Sequence, residues 1–473
     1  MKKYLVLLST AFIFSCASDE KYEDLNRDPN NPTNVSSESL FTSATKSLFD
    51  QMESTNVNTN VFRLFAQYWT ETTYVDEANY DLVTRKIADN HWSEMYRDVL
   101  YDLKDAKLKA NTDNKKAMIE VLEVYAWQQL VDTYGDIPYS EALQGSADPT
   151  PAYDNDTDIY ADLLVRLNAA IALFDAGAPS SEAGFTSADI IYGGDITKWE
   201  KLANSLKLKI AMRMADVNNT AAKQAAEQAV AAGVFTSNAD NATLAYQSST
   251  PNTNPLWVDL VQSGRSDFVV ANTIVDYMND LSDPRRSAYF DNNLGAGVYV
   301  GGPYGENNSF SNYTHIGKVM HDPTFRGVLL DYAEVSFLLA EASERTYSVG
   351  GTAEDHYNNA ITASMEDWGV DSSDITDYLD RTDVAYSTAA GTWRQKIGLQ
   401  FWLAMYNRGF EGWSVYRKYD APVMNLAAVS ELPVPTRYTY PLAEQTLNMT
   451  NYNAAKAAMG SDLLNTKIFW DVN

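Results

Sequence analysis

Four histidines are the side chains best suited to bind a metal or move a proton near neutral pH: His91, His315, His321 and His356. None of them lies in an HExxH pattern, and the single cysteine, Cys16, is distant from all four in the sequence. The 63 acidic residues place carboxylate pairs at every spacing by chance, so they do not identify the acid and base of a glycosidase. GxSxG and GxxxxGK[ST] do not occur. We therefore expect a protein that is not an enzyme, has no metal or cofactor, and has solvated or hydrogen-bonded histidines.

One acidic stretch begins like a calcium-binding loop, with Asp154, Asp156 and Asp158 at alternate positions. The sixth position of such a loop is glycine and the twelfth is glutamate, but this chain has Ile159 and Val165 there. Acidic residues are also favoured in the first turn of a helix, where they complement the helix dipole. The second interpretation fits the stretch better, so we predict a helix N-terminus here.

The N-terminal residues have the order of an export signal. Two lysines precede an apolar or small run over residues 4–14, which is too short to cross a bilayer. The stretch Ile13-Phe14-Ser15-Cys16 resembles the lipobox of bacterial lipoproteins. We predict that residues 1–15 are a signal peptide that is removed, that Cys16 then carries the lipid, and that residues 16–40 form a lipidated tether. Cleavage at another position, with Cys16 as an incidental residue, is the alternative.

The formal net charge is −27, and no dense cluster of lysine and arginine occurs. Such a chain repels nucleic acid and anionic lipid surfaces, so we expect no nucleic-acid partner. An exported chain with one cysteine forms no internal disulfide, and its stability must come from a large core.

Beyond residue 40 the apolar spacing is mainly helical. Residues 115–135 are apolar on nearly all sides, which indicates a central helix, and residues 195–216 have one apolar stripe. Residues 332–370 predict a helical hairpin of the tetratricopeptide type, broken at Gly350 and Gly351. The spacing alone leaves a divergent helical repeat and an ordinary helical bundle equally open. Residues 237–325 are rich in Ser, Asn, Gly, Pro and Tyr, and such long irregular segments often carry function.

Eight stretches in order along the chain resemble the SusD/RagB family of nutrient-binding outer-membrane lipoproteins, in its SusD-like branch. They are LNRDPNNPTNV (25–35), DTYGDIPYSEAL (132–143), YGGDITKWEKLANSLKLKIAMRM (192–214), DYMNDLSDPRRSAYF (276–290), LLDYAEVSFLLAEASER (329–345), QKIGLQFWLAMYNRGFEGWSVYRKYDAPV (395–423), PVPTRYTYPLAEQTLNMTNYNAA (433–455) and TKIFWDVN (466–473).

The resemblance implies an all-α fold, a single domain over residues 41–473 in which four tetratricopeptide-like hairpins support an irregular, loop-rich half. It also implies a cell-surface lipoprotein of the outer membrane, and the acids Asp19, Glu20, Glu23 and Asp24 resemble the signal for that location. Such proteins capture oligosaccharides, here with a β-glucan as one expected ligand, and act as a lid that delivers them to a SusC-like TonB-dependent transporter. A peptide-binding lid of a peptide importer is the alternative.

A protein that binds sugars needs exposed aromatic faces with polar groups at their edges. Aromatic residues outside regular helices are the best candidates, and relatives use an early region and later loops. The predicted aromatic contacts are Trp69, Tyr74, Trp257, Tyr299, Tyr304 and Tyr313. The predicted polar contacts are Asp76, Asn79, Arg265, Asn307 and Asn308. For Trp69 and Trp257, packing of loops onto the helical half is an equally open alternative.

Overall fold

The computed structural model of the protein describes residues 35–472. The predicted signal peptide, the lipidation at Cys16 and most of the predicted tether lie outside these residues. The first described helix begins at Ser37, before the predicted end of the tether at residue 40. It begins there because the Ser36 side chain accepts a hydrogen bond from the backbone N–H of Ser39 at 3.2 Å, which caps the helix.

Helices dominate the described chain. Those of eight or more residues are Ser37–Glu53 (α1), Ile87–Glu94 (α2), Tyr101–Lys109 (α3), Asp113–Tyr134 (α4), Asp156–Leu173 (α5), Ile196–Arg213 (α6), Asn219–Ala232 (α7), Asn272–Asp280 (α8), Tyr332–Glu344 (α9), Ala353–Asp367 (α10), Ser372–Leu379 (α11), Trp393–Ala404 (α12), Gly409–Tyr419 (α13) and Met449–Ala458 (α14). Shorter α-helices are Phe62–Phe65, Pro255–Trp257, Arg286–Tyr289 and Leu442–Leu447, and two π-helical turns are Met95–Leu100 and Val258–Gln262.

Four pairs of consecutive helices pack against each other: α4 with α5, α6 with α7, α9 with α10, and α12 with α13. These pairs form the helical half of the molecule. They confirm the predicted all-α class with tetratricopeptide-like hairpins, which the apolar spacing alone did not separate from an ordinary bundle. The ninth and tenth helices are the hairpin predicted over residues 332–370.

The ends of these helices follow from local chemistry. Thr352 and Asp355 form a reciprocal capping box at the start of α10. Gly135 ends α4 with a φ of +83°, and a Cβ there would lie 2.3 Å from Cε of Met459. Asp156 and Asp158 lie in the first turn of α5, so the predicted acidic helix N-terminus is confirmed.

The predicted central helix is also confirmed, because α4 is buried along nearly its whole length. The apolar stripe predicted on α6 is buried as well, with Trp199 and Leu206 fully inaccessible to solvent.

Charged side chains cross-link the helical hairpins inside this core. Lys209 and Arg213 on α6 both contact the carboxylate of Glu411 on α13, the latter at 3.0 Å. Lys209 also lies 3.2 Å from Glu334 on α9, and all four side chains are nearly inaccessible to solvent. Burial alone would raise the pKa of Glu411, but the positive charges of Lys209 and Arg213 lower it to about 2.

The irregular half contains four short strands in two antiparallel pairs. Trp69–Glu71 (β1) pairs with Phe268–Val270 (β3), with Trp69 opposite Val270. Ala242–Leu244 (β2) pairs with Gly327–Leu330 (β4). The predicted loop-rich region, 237–325, holds β2, β3, α8 and several single turns, joined by irregular segments. The β1–β3 pair brings the early region and the later loops of the sequence into contact.

Candidate functional site

A cavity of about 260 Å³ lies beside the β1–β3 pair, and we call it the strand-edge cavity. It is lined by Thr55, Asn56, Val57, Asn58, Glu71, Thr73, Tyr74, Arg85, Asp259, Ser263, Arg265, Asp267 and Phe268. These residues come from the connection after α1, the end of β1 and the turn after it, the segment before α2, the π-helical turn, and the segment that leads into β3. Binding sites for drug-sized ligands measure about 300–1,000 Å³, so this cavity suits one small unit of a ligand.

Tyr74 stands at the mouth of this cavity with 67% of its surface exposed. Its φ is +58°, which is uncommon for a residue other than glycine. The turn that holds it is fixed, because the backbone N–H of Thr72 donates to the carbonyl of Asp267 at 2.8 Å. The Thr72 hydroxyl donates to the carbonyl of Ser266 at 2.6 Å. The structure therefore presents an exposed aromatic ring on a rigid base.

Opposite charges lie at the edge of the cavity. The guanidinium Nε of Arg265 is 2.5 Å from a carboxylate oxygen of Asp267, and both side chains are partly exposed. Arg85 forms an ion pair with Glu77, whose side chain is buried behind the cavity wall. Each arginine is therefore neutralised by a carboxylate, while its remaining N–H groups can still donate hydrogen bonds at the cavity.

Two carboxyl groups in the cavity wall have raised pKa values, which favours their neutral form. Burial, followed by the nearby charge of Glu77, raises the pKa of Glu71 to about 9. Burial raises the pKa of Asp259 to about 6. Near neutral pH Asp259, which is only partly buried, is therefore mainly an acceptor, whereas Glu71 is 3% exposed and accepts a hydrogen bond from the backbone N–H of Ala78 at 2.9 Å. The Arg265 guanidinium and the Asp259 carboxylate therefore offer a donor and an acceptor to the hydroxyl and amide groups of a ligand.

The structure brings some of the sequence-predicted residues to this site. Tyr74 and Arg265 line the cavity, and Asp76 is exposed on the same turn as Tyr74. Asn307 is exposed next to Asn308, whose side chain donates to the carbonyl of Glu71 at 3.0 Å. These four predictions therefore fall on or close to the strand-edge cavity.

Two further predicted aromatic residues, Tyr299 and Tyr313, bond to the adjacent residues Asn292 and Asn293 of one loop. The Tyr299 hydroxyl donates to Asn292 at 3.2 Å, and the Asn293 side chain donates to the carbonyl of Tyr313 at 2.9 Å. Both tyrosines are half-buried. Trp257 is also half-buried, and it immediately precedes the π-helical turn that carries Asp259.

Three predicted contacts are corrected because they are buried and offer no face to a ligand. Trp69 is fully buried, and its indole N–H donates to the Tyr406 hydroxyl at 3.0 Å. Tyr304 is 2% exposed and packs near Tyr80. Asn308 is 4% exposed, and its amide holds three backbone carbonyls of the surrounding loop.

Asn79 is a structural link instead of a free polar contact. Its side-chain N–H₂ donates to the carbonyls of Val75 and Gly305, both at 2.8 Å. Its side-chain oxygen accepts from the backbone N–H groups of Val429 and Ser430 at 3.2 and 2.9 Å. These four bonds use the capacity of the amide and fasten three loops together.

Sequence reasoning missed eleven of the thirteen lining residues, among them the charged residues Glu71, Arg85, Asp259 and Asp267. A chain with 63 acidic residues gives no signal that selects three of them. Phe310 was also missed, although it is exposed and stacks on His315 with ring centroids 3.7 Å apart. Phe310 lies in the irregular region, where the sequence already predicted other aromatic contacts. The same reasoning could therefore have included it.

Three of the four histidines, His91, His315 and His356, have hydrogen-bonding roles. A ring nitrogen of His91 lies 2.6 Å from the side chain of Gln51, and burial lowers the pKa of His91 to about 3. His315 and His356 lie at 2.8 and 2.6 Å from the backbone carbonyls of Phe310 and Gly350. Within residues 35–472, no group of three or more His, Cys, Asp or Glu side chains is arranged to hold a metal ion. In the same range no helix combines the length and apolarity needed to span a bilayer.

Solved structures resemble this fold over nearly its whole length. One described as a chitin-binding protein has 27% sequence identity and a TM-score of 0.80, covering 92% of this chain and 100% of its own. A chitin-binding SusD homologue from Flavobacterium johnsoniae has 27% identity and a TM-score of 0.79, with 92% and 97% covered. A SusD homologue from Bacteroides ovatus has 27% identity and a TM-score of 0.79, with 92% and 99% covered. No curated protein sequence matches the chain.

A family model described as "Starch-binding associating with outer membrane" matches residues 29–441, which is most of the chain. The sequence resemblance, the paired helices and the structural neighbours agree with this match. The chain therefore belongs to the SusD-like family of glycan-binding proteins associated with the outer membrane.

Proposed function

We propose that this protein captures oligosaccharides at its surface, with Tyr74 and the strand-edge cavity as the binding site. The observation that carries the proposal is an exposed tyrosine on a fixed turn, beside a cavity whose wall offers donors and acceptors. A sugar ring has a weakly apolar face and a rim of hydroxyls, so it can stack on Tyr74 while its rim meets Arg265 and Asp259. The proposed role is binding without catalysis.

Chitin fragments are the first ligands to test, because two of the similar structures are described as chitin-binding. Chitin is a β-linked chain of N-acetylated sugars, and the cavity wall offers the guanidinium of Arg265 and the carboxylate of Asp259 to its amide and hydroxyl groups. A β-glucan, the ligand expected from sequence, has the same type of rim without the amide. Peptides remain the alternative ligand class.

The ligand screen tests this proposal. The purified mature protein is run in gels containing chitin-derived soluble polymers, β-glucans or α-glucans, and titrated with matching oligosaccharides and with mixed peptides. We expect retardation by at least one glycan, weaker or no binding of peptides, and unchanged ligand masses after long incubation. Binding of peptides alone would contradict the glycan assignment, and cleaved products would contradict a role without catalysis.

The delivery step is also proposed: the protein acts as a lid that passes its ligand to a SusC-like TonB-dependent transporter, held at the cell surface by a lipid on Cys16. Family membership supports this role, since the family is described as associated with the outer membrane. One lipid chain gives only marginal binding, so several chains are expected at Cys16.

A Cys16→Ala variant tests the anchor. We expect it to leave the membrane fraction, because a chain with a net charge of −27 is repelled by anionic lipid. A variant that stays in the membrane fraction after high-salt washing, at the wild-type level, would contradict the anchor.

A further inference from the structure

Two buried carboxyl groups meet behind the strand-edge cavity. Glu71 and Glu77 are 3% and 1% exposed. The Glu71 carboxyl lies within hydrogen-bonding reach of the Glu77 carboxyl. Two carboxylates in such contact repel each other strongly when they are buried, whereas a carboxyl and a carboxylate can hold one proton between them. The contact is therefore favourable only when one of the two groups is protonated.

The other contacts of the pair leave a place for this proton. One oxygen of Glu71 accepts a hydrogen bond from the backbone N–H of Ala78 at 2.9 Å. One oxygen of Glu77 forms an ion pair with the guanidinium of Arg85. The second oxygen of Glu77 is buried and accepts no hydrogen bond from a permanent donor among residues 35–472. A buried acceptor without a donor is costly, and a protonated Glu71 supplies the missing donor.

These contacts close the base of the turn that presents Tyr74. Glu71 is the last residue of β1, so its hydrogen bond to Ala78 joins the two ends of residues 72–77, which we call the Tyr74 loop. The hydrogen bonds of Thr72 fix the start of this loop, and Glu71 fixes its end. Fixing a loop costs conformational entropy, so the Tyr74 ring stays in place only while the bonds at the base hold.

We propose that Glu71 and Glu77 share one proton and that this hydrogen bond holds the Tyr74 loop in the conformation that binds sugar. Both are then positioning residues, because they act on the ligand through Tyr74. The inference rests on the proposed function, since it explains how the sugar platform of that function is supported.

Other charged and titratable groups surround the pair. They are Arg85 from the segment before α2, Asp259 on the π-helical turn, Arg265 and Asp267 before β3, and the buried hydroxyl of Tyr304. Both arginines have carboxylate partners of their own, so neither replaces the shared proton. Asp259 has a pKa of about 6, so it is mainly ionised above about pH 7 and does not change charge on further alkalinisation.

The shared proton makes glycan binding sensitive to alkaline pH. Burial, followed by the charge of Glu77, raises the pKa of Glu71 to about 9, above its ordinary value of 4.5. The closed loop therefore keeps a proton that an open loop, with Glu71 in water, releases. Each pH unit between these two values favours opening by up to about tenfold. Binding is expected to weaken as the pH rises toward 9 and to level off above it.

Titrations with the best oligosaccharide from the ligand screen test this dependence in wild type and Glu71→Gln. Glutamine keeps an acceptor for Ala78 and gives Glu77 a permanent donor, so it reproduces the protonated pair. We expect wild-type affinity to fall about tenfold between about pH 7 and 9.5, and that of Glu71→Gln to change less than about twofold. Glu71→Ala lacks both bonds and should bind about tenfold more weakly than Glu71→Gln at about pH 7. The control is Glu306→Gln, an exposed glutamate of a neighbouring loop, which should retain the wild-type profile.

A measurement without ligand separates this inference from the proposed function. The infrared difference spectrum of wild type minus Glu71→Gln should contain the carbonyl band of a protonated carboxyl near neutral pH, and the band should disappear above about pH 9. Absence of the band near neutral pH, or the same pH profile of affinity in wild type and Glu71→Gln, would overturn the shared proton. A wild type that binds no glycan at any pH would instead remove the proposed function, while the infrared band would still show whether the proton is shared.

Discussion

Replacing Glu411 with glutamine is expected to lower the free energy of unfolding by about 3–5 kcal/mol, because it removes the carboxylate that two buried positive charges share. The Glu411 carboxylate contacts both Lys209 and Arg213, and all three side chains are nearly inaccessible to solvent. Glutamine has almost the same size, so the effect reports the lost charge and not a cavity. Denaturant unfolding measures the change.

The matched control is Glu366→Gln, because Glu366 is an exposed carboxylate on α10. We expect this change to alter the free energy of unfolding by less than about 0.5 kcal/mol. The folded-state pKa of Glu411, about 2, lies below its ordinary value of 4.5. Its contribution is therefore present above about pH 4.5 and is lost as the pH falls toward 2. The difference between wild type and Glu411→Gln should shrink on acidification, and a difference that grows would contradict the ion network.

The second large effect is expected from paired substitutions at two aromatic residues only five positions apart in the sequence. Trp69→Ala should cost about 3–5 kcal/mol, because it removes a fully buried ring and its hydrogen bond to Tyr406. Tyr74→Ala should leave the melting temperature nearly unchanged, because the ring is exposed. Thermal melting of both variants separates the two roles, and an unchanged melting point for Trp69→Ala would contradict its assignment to the core.

The helical half could be predicted from the sequence because its signals are local. The spacing of Trp199, Leu202 and Leu206 defines a buried stripe within one helix, and Gly135 marks the end of another. Neither conclusion requires knowledge of which distant residues come together. The start of α1 was predicted less well. The helix begins after its cap, Ser36, which lies inside the segment predicted to be the tether.

The site could be predicted only in part because its walls are assembled from distant segments. The β1–β3 pairing places residues near 70 against residues near 268, and this pairing buries Trp69 while Tyr74 remains exposed at the next turn. Local composition does not distinguish these two aromatic residues. The same holds for Asn79, whose four partners lie on three separate loops.

The proposed role of Tyr74 as the sugar platform is tested most directly by titrating wild type and Tyr74→Ala with the best oligosaccharide from the ligand screen. Loss of the stacked ring should weaken affinity by about tenfold or more, equivalent to about 1.4 kcal/mol, with the melting temperature unchanged. The control is Tyr101→Ala, since Tyr101 is 50% exposed on α3, away from the cavity lining. The account predicts a selective loss of affinity in Tyr74→Ala, and equal affinities in wild type and both variants would contradict it.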